Sequence, residues 1–171
     1  MPSLSNETER TVQGLQLEQF LPYRLVVVAD KVSQSLAKLY SARYGIGIPE
    51  WRVVATLGQF DTMTAKDIGH HSHMHKTKVS RAVAALEKRG LIARTPDSQD
   101  RRAAFLRLTD KGRALYSDIA PDALTFARAL EAELSAEDHV ALERILTRLL
   151  AKSEALARAI KPDGRARGRQ S

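Results

Sequence analysis

One feature of the sequence constrains the fold of this chain more than any other. It is a pair of short helical segments that are joined by a tight turn and followed at once by a β-hairpin. Thr64-Ala65-Lys66-Asp67 has a capping-box pattern, which predicts a short helix that ends near His71. A second helix is predicted from about His75 to Arg89, with Gly90 at its end. The residues of its buried face are Val79, Val83 and Leu86. Two short helices in this order are the helix-turn-helix pattern.

The hairpin is predicted from alternation on both sides of a turn. Residues 91–95 and 105–108 alternate between apolar and polar side chains, as half-buried strands do, and residues 96–100 are rich in turn formers. A hairpin placed directly after the second helix is a wing. We therefore expect a mainly α protein with a small β-hairpin wing, of the winged helix-turn-helix class.

Longer helices are predicted on both sides of this segment. The first runs from Glu18 to Tyr44, where Gly45 and Gly47 end it, and Pro49 opens a helix that continues to about Phe60. The residues expected to pack inward from that helix are Trp51, Val53, Val54 and Leu57. After the hairpin, Thr109 is expected to cap a helix that runs to about Leu134. A last helix over residues 136–160 follows the capping box at 135–138.

The positive charge of the chain is confined to the helix-turn-helix and wing. The whole sequence of 171 residues carries a net charge of +7. Residues 64–113 contain twelve Lys and Arg against five Asp and Glu, so this segment alone carries +7. The rest of the chain carries fifteen residues of each sign. A localised basic surface of this kind is what contact with a nucleic-acid backbone requires.

The N-terminal part of the second helix of a helix-turn-helix enters the major groove of DNA. Lys and Arg can bind guanine there, whereas Thr can contact a base or a phosphate and Ser suits a phosphate or an internal hydrogen bond. The residues expected to contact DNA from this helix are His75, Lys76, Thr77, Lys78, Ser80 and Arg81. At the wing tip, Arg101 or Arg102 can reach a narrow minor groove, with Asp97 or Asp100 holding the arginine or simply closing the turn.

Other classes of protein find little support. The chain has no cysteine, so disulfides and thiolate metal sites are excluded. No signal peptide or membrane-spanning segment is recognisable, which predicts a cytoplasmic protein. We find no Gly-rich phosphate loop, nucleophile elbow or H-E-x-x-H pattern, and therefore predict neither an enzyme nor a cofactor.

The same segment resembles the signature of the MarR family. The resemblance rests on Lys78-Val79-Ser80-Arg81, Leu86 to Ile92, Asp97 to Arg102 and Leu106 to Gly112, and it is strongest over residues 50–115. The last two stretches match the family's D-x-x-D-x-R wing and its L-x-L-T-x-x-G motif. The flanking helices agree in length and order with the family's dimerisation domain.

The resemblance implies a homodimer that represses or regulates transcription from an inverted repeat in double-stranded DNA. The two recognition helices would meet successive major grooves about 34–36 Å apart. It also implies a small-molecule effector, often an aromatic acid. Residues 20–25 are similar to family members that respond to hydroxycinnamates, other aromatic acids or their coenzyme A thioesters.

On this basis the chain is divided into five parts. Residues 1–17 are expected to form a flexible arm, 18–48 an N-terminal dimerisation helix and 49–112 the DNA-binding domain. Residues 113–160 are expected to form C-terminal dimerisation helices, and 161–171 a basic tail. An architectural DNA-binding protein without ligand control is the alternative, and it would bind with little sequence preference.

Four residues are candidates for effector binding, and each has a second interpretation. Tyr44 and Trp51 can line an effector pocket or belong to the core, and Arg43 and Arg52 can bind an acidic effector or form surface ion pairs. The histidines at 70, 71, 73 and 75 could suggest a metal site. Because a turn interrupts them and no carboxylate lies among them, no metal site is predicted, and phosphate contact or solvent exposure is favoured.

Overall fold

The computed structural model describes residues 14–96 and 104–160. The predicted wing tip with Asp97, Asp100, Arg101 and Arg102, the basic tail and most of the N-terminal arm lie outside these residues. The helices are α1 (Leu21–Tyr44), α2 (Ile48–Phe60), α3 (Ala65–His71), α4 (Lys76–Lys88), α5 (Asp110–Glu131) and α6 (Ala136–Ala159). The strands are β1 (Thr62–Thr64), β2 (Ile92–Pro96) and β3 (Ala104–Leu108).

Helix α1 begins three residues later than the sequence predicted. Gln19 and Phe20 donate backbone hydrogen bonds to the carbonyls of residues 16 and 17, which makes a turn before the helix. Pro22 then lies in the first helical turn, where its missing N–H and fixed φ are tolerated. Gly45 ends the helix in the left-handed conformation at φ 60°. The start at Glu18 was therefore wrong and the end at Tyr44 is confirmed.

The two helices of the helix-turn-helix form as predicted. Thr64 caps α3, since its hydroxyl oxygen accepts the Asp67 backbone N–H at 3.2 Å. The Asp67 carboxylate accepts in turn from the Thr64 hydroxyl at 2.6 Å. His75 caps α4, and Gly90 follows this helix with φ 66°.

The hairpin of β2 and β3 is part of a three-stranded antiparallel sheet of order β1-β3-β2. Its register pairs Ile92 with Leu108 and Pro96 with Ala104. Strand β1, which the sequence analysis did not predict, pairs Thr62 with Arg107 on the other side of β3. The wing therefore has its base fixed to the segment between α2 and α3.

The core lies where α2, α3, α4 and the sheet meet. Its fully buried side chains include Leu57, Ile68, Val79, Leu86 and Leu106. All the residues expected to pack inward from α2 and α4 are buried. Aliphatic and aromatic side chains make up this core, so its stability comes from the removal of apolar surface from water.

The chain divides into two compact units between Ala123 and Leu124. In the second unit, Ser135 and Asp138 form the predicted capping box of α6, and α5 ends at Glu131 rather than at Leu134. Helix α6 has no buried residue. Over residues 14–96 and 104–160, no helix combines the length and apolarity that a membrane crossing needs.

Candidate nucleic-acid interface

Helix α4 buries one face and exposes the residues predicted to contact DNA on the other. Its buried residues are Val79, Ala82, Val83 and Leu86. The exposed residues are His75, Lys76, Thr77, Lys78, Ser80 and Arg81. The amphipathic spacing of the helix produces this separation, because burying the apolar stripe turns the basic residues outward. The N-terminal half of α4 is thus a solvent-exposed basic surface.

His75 holds the N-terminus of this helix. Its Nδ1 accepts the backbone N–H of Thr77 at 3.4 Å. A ring nitrogen that accepts carries no proton, so the neutral imidazole has its proton on Nε2, which can donate to an anion. The dipole of α4 adds a partial positive charge at the same place. This end of α4 therefore suits a phosphate.

An open groove of about 720 Å³ runs beside α4, between α3 and β2. Its floor is apolar, with Met74, Val79 and Val83 among the lining residues. The cationic or titratable side chains that line it are Lys66, His70, His75, Lys76 and Arg94. The basic surface thus extends from the recognition helix onto its neighbours, as expected for contacts with a DNA backbone.

Polar contacts that the sequence analysis missed attach the far end of α4 to the rest of the fold. Arg94 of β2 donates to both carboxylate oxygens of Glu87, at 2.9 and 3.1 Å, and this pairing raises the pKa of Arg94. Arg89 donates to the carbonyl oxygens of Tyr44 and Gly45 at 2.7 and 2.9 Å. Basic residues near Gly90 were visible in the sequence, but their partners depend on the turn that follows α4.

The four candidate effector residues lie where α1 meets α2. Trp51 is 8% exposed and its ring lies 5.5 Å from Tyr40 and 6.3 Å from Tyr116. It is therefore part of an aromatic core cluster. The Arg52 guanidinium donates to the Ser33 hydroxyl at 3.4 Å, which joins the two helices.

Tyr44 differs from its neighbours because its hydroxyl is buried. Within the described residues this oxygen has no hydrogen-bond partner, although most buried polar groups have one. The Arg43 guanidinium lies 5.0 Å from the centre of the Tyr44 ring, in cation–π geometry. Burial also raises the pKa of the Tyr40 hydroxyl, which keeps it protonated as a donor.

The histidine segment is split by the turn between α3 and α4. The His71 ring packs against Phe60 with centroids 4.4 Å apart, and the His70 ring lies edge-on at 6.3 Å from that of His71. His73 occupies the turn with φ 50°, and His75 caps α4. In the described part of the chain, no three His, Asp or Glu side chains are grouped in a way that could hold a metal ion.

The MarR family profile matches residues 46–104, from just before α2 to the first residue of β3. The HTH-type transcriptional regulator FarR of Neisseria gonorrhoeae is 28% identical over 107 residues, which is 63% of this chain and 73% of that protein. The homoprotocatechuate degradative operon repressor of Escherichia coli is 24% identical over 123 residues, 72% of this chain and 83% of that one.

A solved structure agrees over most of the fold. The crystal structure of a MarR family transcriptional regulator from Silicibacter pomeroyi DSS-3 superposes with a TM-score of 0.69 at 28% identity. The superposition covers 81% of this chain and 98% of that one. Residues 46–104 therefore form a MarR-family domain. With this winged helix-turn-helix domain, the chain is a DNA-binding transcriptional regulator and not an enzyme.

The structure explains the MarR-family motif that follows β3. The Thr109 hydroxyl donates to the Gly90 carbonyl at 2.7 Å and accepts the Gly112 N–H at 3.1 Å, so it caps α5 as predicted. Lys111 Nζ donates to the Arg89 carbonyl at 3.1 Å. Gly112 lies so close to the Leu91 carbonyl that a Cβ would overlap it. The motif therefore fixes the start of α5 against the turn that ends the recognition helix.

Proposed function

We propose that this MarR-family regulator is a homodimer that binds an inverted repeat in double-stranded DNA and is released by a small aromatic acid or its coenzyme A thioester. The exposed basic face of α4 is the observation that carries the DNA-binding part of the proposal. Its buried face is fully used by the core, so this basic face remains available to a partner. Two copies related by a two-fold axis would read the two halves of an inverted repeat.

Each predicted contact residue has a role in this proposal. Lys76, Thr77, Lys78 and Arg81 reach base edges from the N-terminal half of α4, and Arg81 lies one turn further along than Thr77. His75 and Ser80 contact phosphates. Arg101 or Arg102 of the wing enters the minor groove, held by Asp97 or Asp100. These wing residues lie outside the described part of the chain, and their role rests on the family motif.

The proposed second copy would cover apolar side chains that the single chain leaves exposed. In α1, Leu25 is 41% exposed and Val28 60%. In α6, Val140 is 69% exposed and Ile145 49%. Large apolar faces of this kind on long helices mark protein interfaces. Because α6 has no buried residue, tertiary packing within one chain does not account for its stability.

The effector is proposed to bind near the aromatic cluster of α1 and α2. Trp51 and Tyr44 are the aromatic groups of this region, and Arg43 and Arg52 supply positive charge. Among the described residues, the buried Tyr44 hydroxyl has no hydrogen-bond partner. A compound with an aromatic ring and a carboxylate matches these three features. The name of the Escherichia coli relative links that protein to the degradation of homoprotocatechuate, which is such a compound.

DNase footprinting of the promoter region next to the protein's own gene tests the DNA-binding proposal. A protected inverted repeat is the expected result, with affinity at least about 10³-fold above that for random DNA. Diffuse protection with a steep dependence on salt would instead indicate an architectural binder. Size-exclusion chromatography with light scattering tests the dimer independently of DNA.

Titration of the protein–operator complex tests the effector proposal. Homoprotocatechuate, a hydroxycinnamate and its coenzyme A thioester are the probes, with benzyl alcohol as a control that keeps the ring and lacks the carboxylate. Release of the operator by an acid or thioester is expected. If no aromatic acid or thioester lowers the affinity for DNA, the effector part of the proposal is wrong and the footprint still stands.

A further inference from the structure

Arg89 joins the end of the recognition helix to the end of α1. It is the C-cap residue of α4, and its guanidinium donates to two successive carbonyls, those of Tyr44 at 2.7 Å and Gly45 at 2.9 Å. Among the described residues, these are the hydrogen bonds that connect α1 with α4 and its cap. A planar guanidinium is suited to bind two acceptors at once in a fixed geometry.

The two carbonyls are good acceptors because they end a helix. The last carbonyls of an α-helix have no partner within it and carry the partial negative charge of the helix dipole. Gly45 turns the chain away in the left-handed conformation, with its N–H bonded to the Ser41 carbonyl. Arg89 thus supplies the cationic cap of α1 from a residue far away in the sequence.

The backbone next to Arg89 is held from the other side by α5. Its carbonyl accepts Lys111 Nζ at 3.1 Å, and the Gly90 carbonyl accepts the Thr109 hydroxyl at 2.7 Å. The C-terminal end of α4 is therefore fixed between α1 and the start of α5. The N-terminal end, where His75 and Lys76 are exposed, has no comparable attachment to α1 among the described residues.

Because Val79 and Leu86 bury α4 in the core, the helix would tilt together with its packing neighbours α2 and α3 about the attachment at Arg89. The first and last of the thirteen residues of α4 lie about 18 Å apart, at 1.5 Å for each step between residues. A tilt of about 5° at the supported end would therefore move the DNA-binding end by about 1.6 Å. Displacements of about 1 Å are large compared with the tolerance of hydrogen bonds to base edges.

We propose that Arg89 is a positioning residue, which sets the direction of the recognition helix relative to α1 and so the spacing of the two recognition helices in the dimer. This inference rests on the proposed function, because the spacing exists only if the protein is a dimer. It assigns Arg89 a role other than DNA contact. Effector binding near Tyr44 would act on the helix end that Arg89 holds.

The test measures the spacing directly. The chain has no cysteine, so Ala84→Cys, an exposed position on α4, gives one nitroxide label per protomer. The distance between the labels is measured by pulsed electron double resonance in otherwise unchanged protein and in Arg89→Ala, Arg89→Lys and Lys88→Ala. Lys88→Ala is the matched control, since it removes the same charge one residue earlier. Far-UV circular dichroism confirms the helix content of each variant.

Arg89→Ala is expected to widen the distance distribution at least twofold, whereas Lys88→Ala leaves it unchanged. In unlabelled protein, Arg89→Ala should weaken operator binding about tenfold more than Lys88→Ala does, or about 1.4 kcal/mol. Both variants should bind random DNA equally. The operator affinity of Arg89→Lys should lie between those of Arg89→Ala and Lys88→Ala, because an ammonium group keeps the charge but cannot donate to two acceptors in the planar geometry of a guanidinium.

Two outcomes would overturn the inference, and they are distinguishable. If Arg89→Ala matches Lys88→Ala in both distance distribution and operator affinity, Arg89 does not position the helix. The proposed dimer is not affected by that result. If the otherwise unchanged labelled protein is monomeric and shows no dipolar coupling, the proposed dimer fails and the inference fails with it.

Discussion

Gly112→Ala should destabilise the protein although alanine is the better helix former. Gly112 lies in the first turn of α5, and an added Cβ would overlap the Leu91 carbonyl oxygen and lie 3.3 Å from Leu108 Cδ2. Real Cβ atoms keep at least 3.0 Å from other heavy atoms, so the backbone must move by about 1 Å. The neighbour is a backbone carbonyl, which cannot swing away as a flexible side chain can.

The expected cost follows from three effects. Overpacking of a tight site costs about 1–3 kcal/mol. The same movement weakens the hydrogen bond from the Thr109 N–H to the Leu91 carbonyl, worth about 1 kcal/mol. Replacing glycine in a helix regains about 1 kcal/mol. The net loss in the free energy of unfolding is therefore about 1–3 kcal/mol.

Urea unfolding followed by circular dichroism measures this loss, at one protein concentration because a dimer's stability depends on concentration. Gly69→Ala is the matched control. There the new Cβ meets the Met74 carbonyl at 3.3 Å and Val79 Cγ2 at 3.4 Å, which small adjustments can relieve. We expect that control to stay within about 0.5 kcal/mol of the unchanged protein. Equal stability of the two variants would refute the argument from close approach.

Three further predictions concern DNA, effector and pH. Arg81→Ala should weaken operator binding by about 1–3 kcal/mol and leave the dimer intact. The control variant Arg144→Ala, on α6, should change neither operator affinity nor dimer formation. Footprinting measures the affinity and light scattering the dimer. Tyr44→Phe should weaken homoprotocatechuate binding about threefold to tenfold in calorimetry, since one hydrogen bond is lost; equal affinity would remove Tyr44 from the site. Hydrogen bonds from the Ser135 hydroxyl and N–H lower the pKa of Asp138 in the folded protein. The ionised carboxylate therefore stabilises α6 when the pH is above 3.8, the pKa of this group in the unfolded chain. This contribution is lost as the pH falls through the lowered pKa of the folded state. Ser135→Ala should raise the pKa of Asp138 in an NMR titration.

The elements of the DNA-binding region could be predicted because local signals mark their ends. The predicted end signals lie at helix ends in the structure. Gly45 and Gly90 follow helices, and Thr64 and Ser135 are N-caps. The exposed face of α4 followed from helical spacing alone. These features depend on residues within one turn of each other, where sequence carries the most information.

The missed features depend on contacts between distant segments. Strand β1 has only three residues, too few to show alternation, and its partner Arg107 lies far along the chain. The bonds from Arg89 to Tyr44 and Gly45 need α1 and α4 to end at the same place, which no local pattern reveals. Gly112 was recognised as a motif residue, but its close approach to Leu91 required the structure.

The position of Trp51 makes its intrinsic fluorescence a probe of the packing around it. It is the one tryptophan of the chain, and its ring lies close to those of Tyr40 of α1 and Tyr116 of α5. Over such short distances, excitation energy is transferred from these tyrosines to the indole. The emission of the indole depends on how much water surrounds it. A small shift of α1 or α5 against α2 therefore changes a fluorescence signal that comes from one known site. Effector binding and loosening of this cluster can be followed without any added dye.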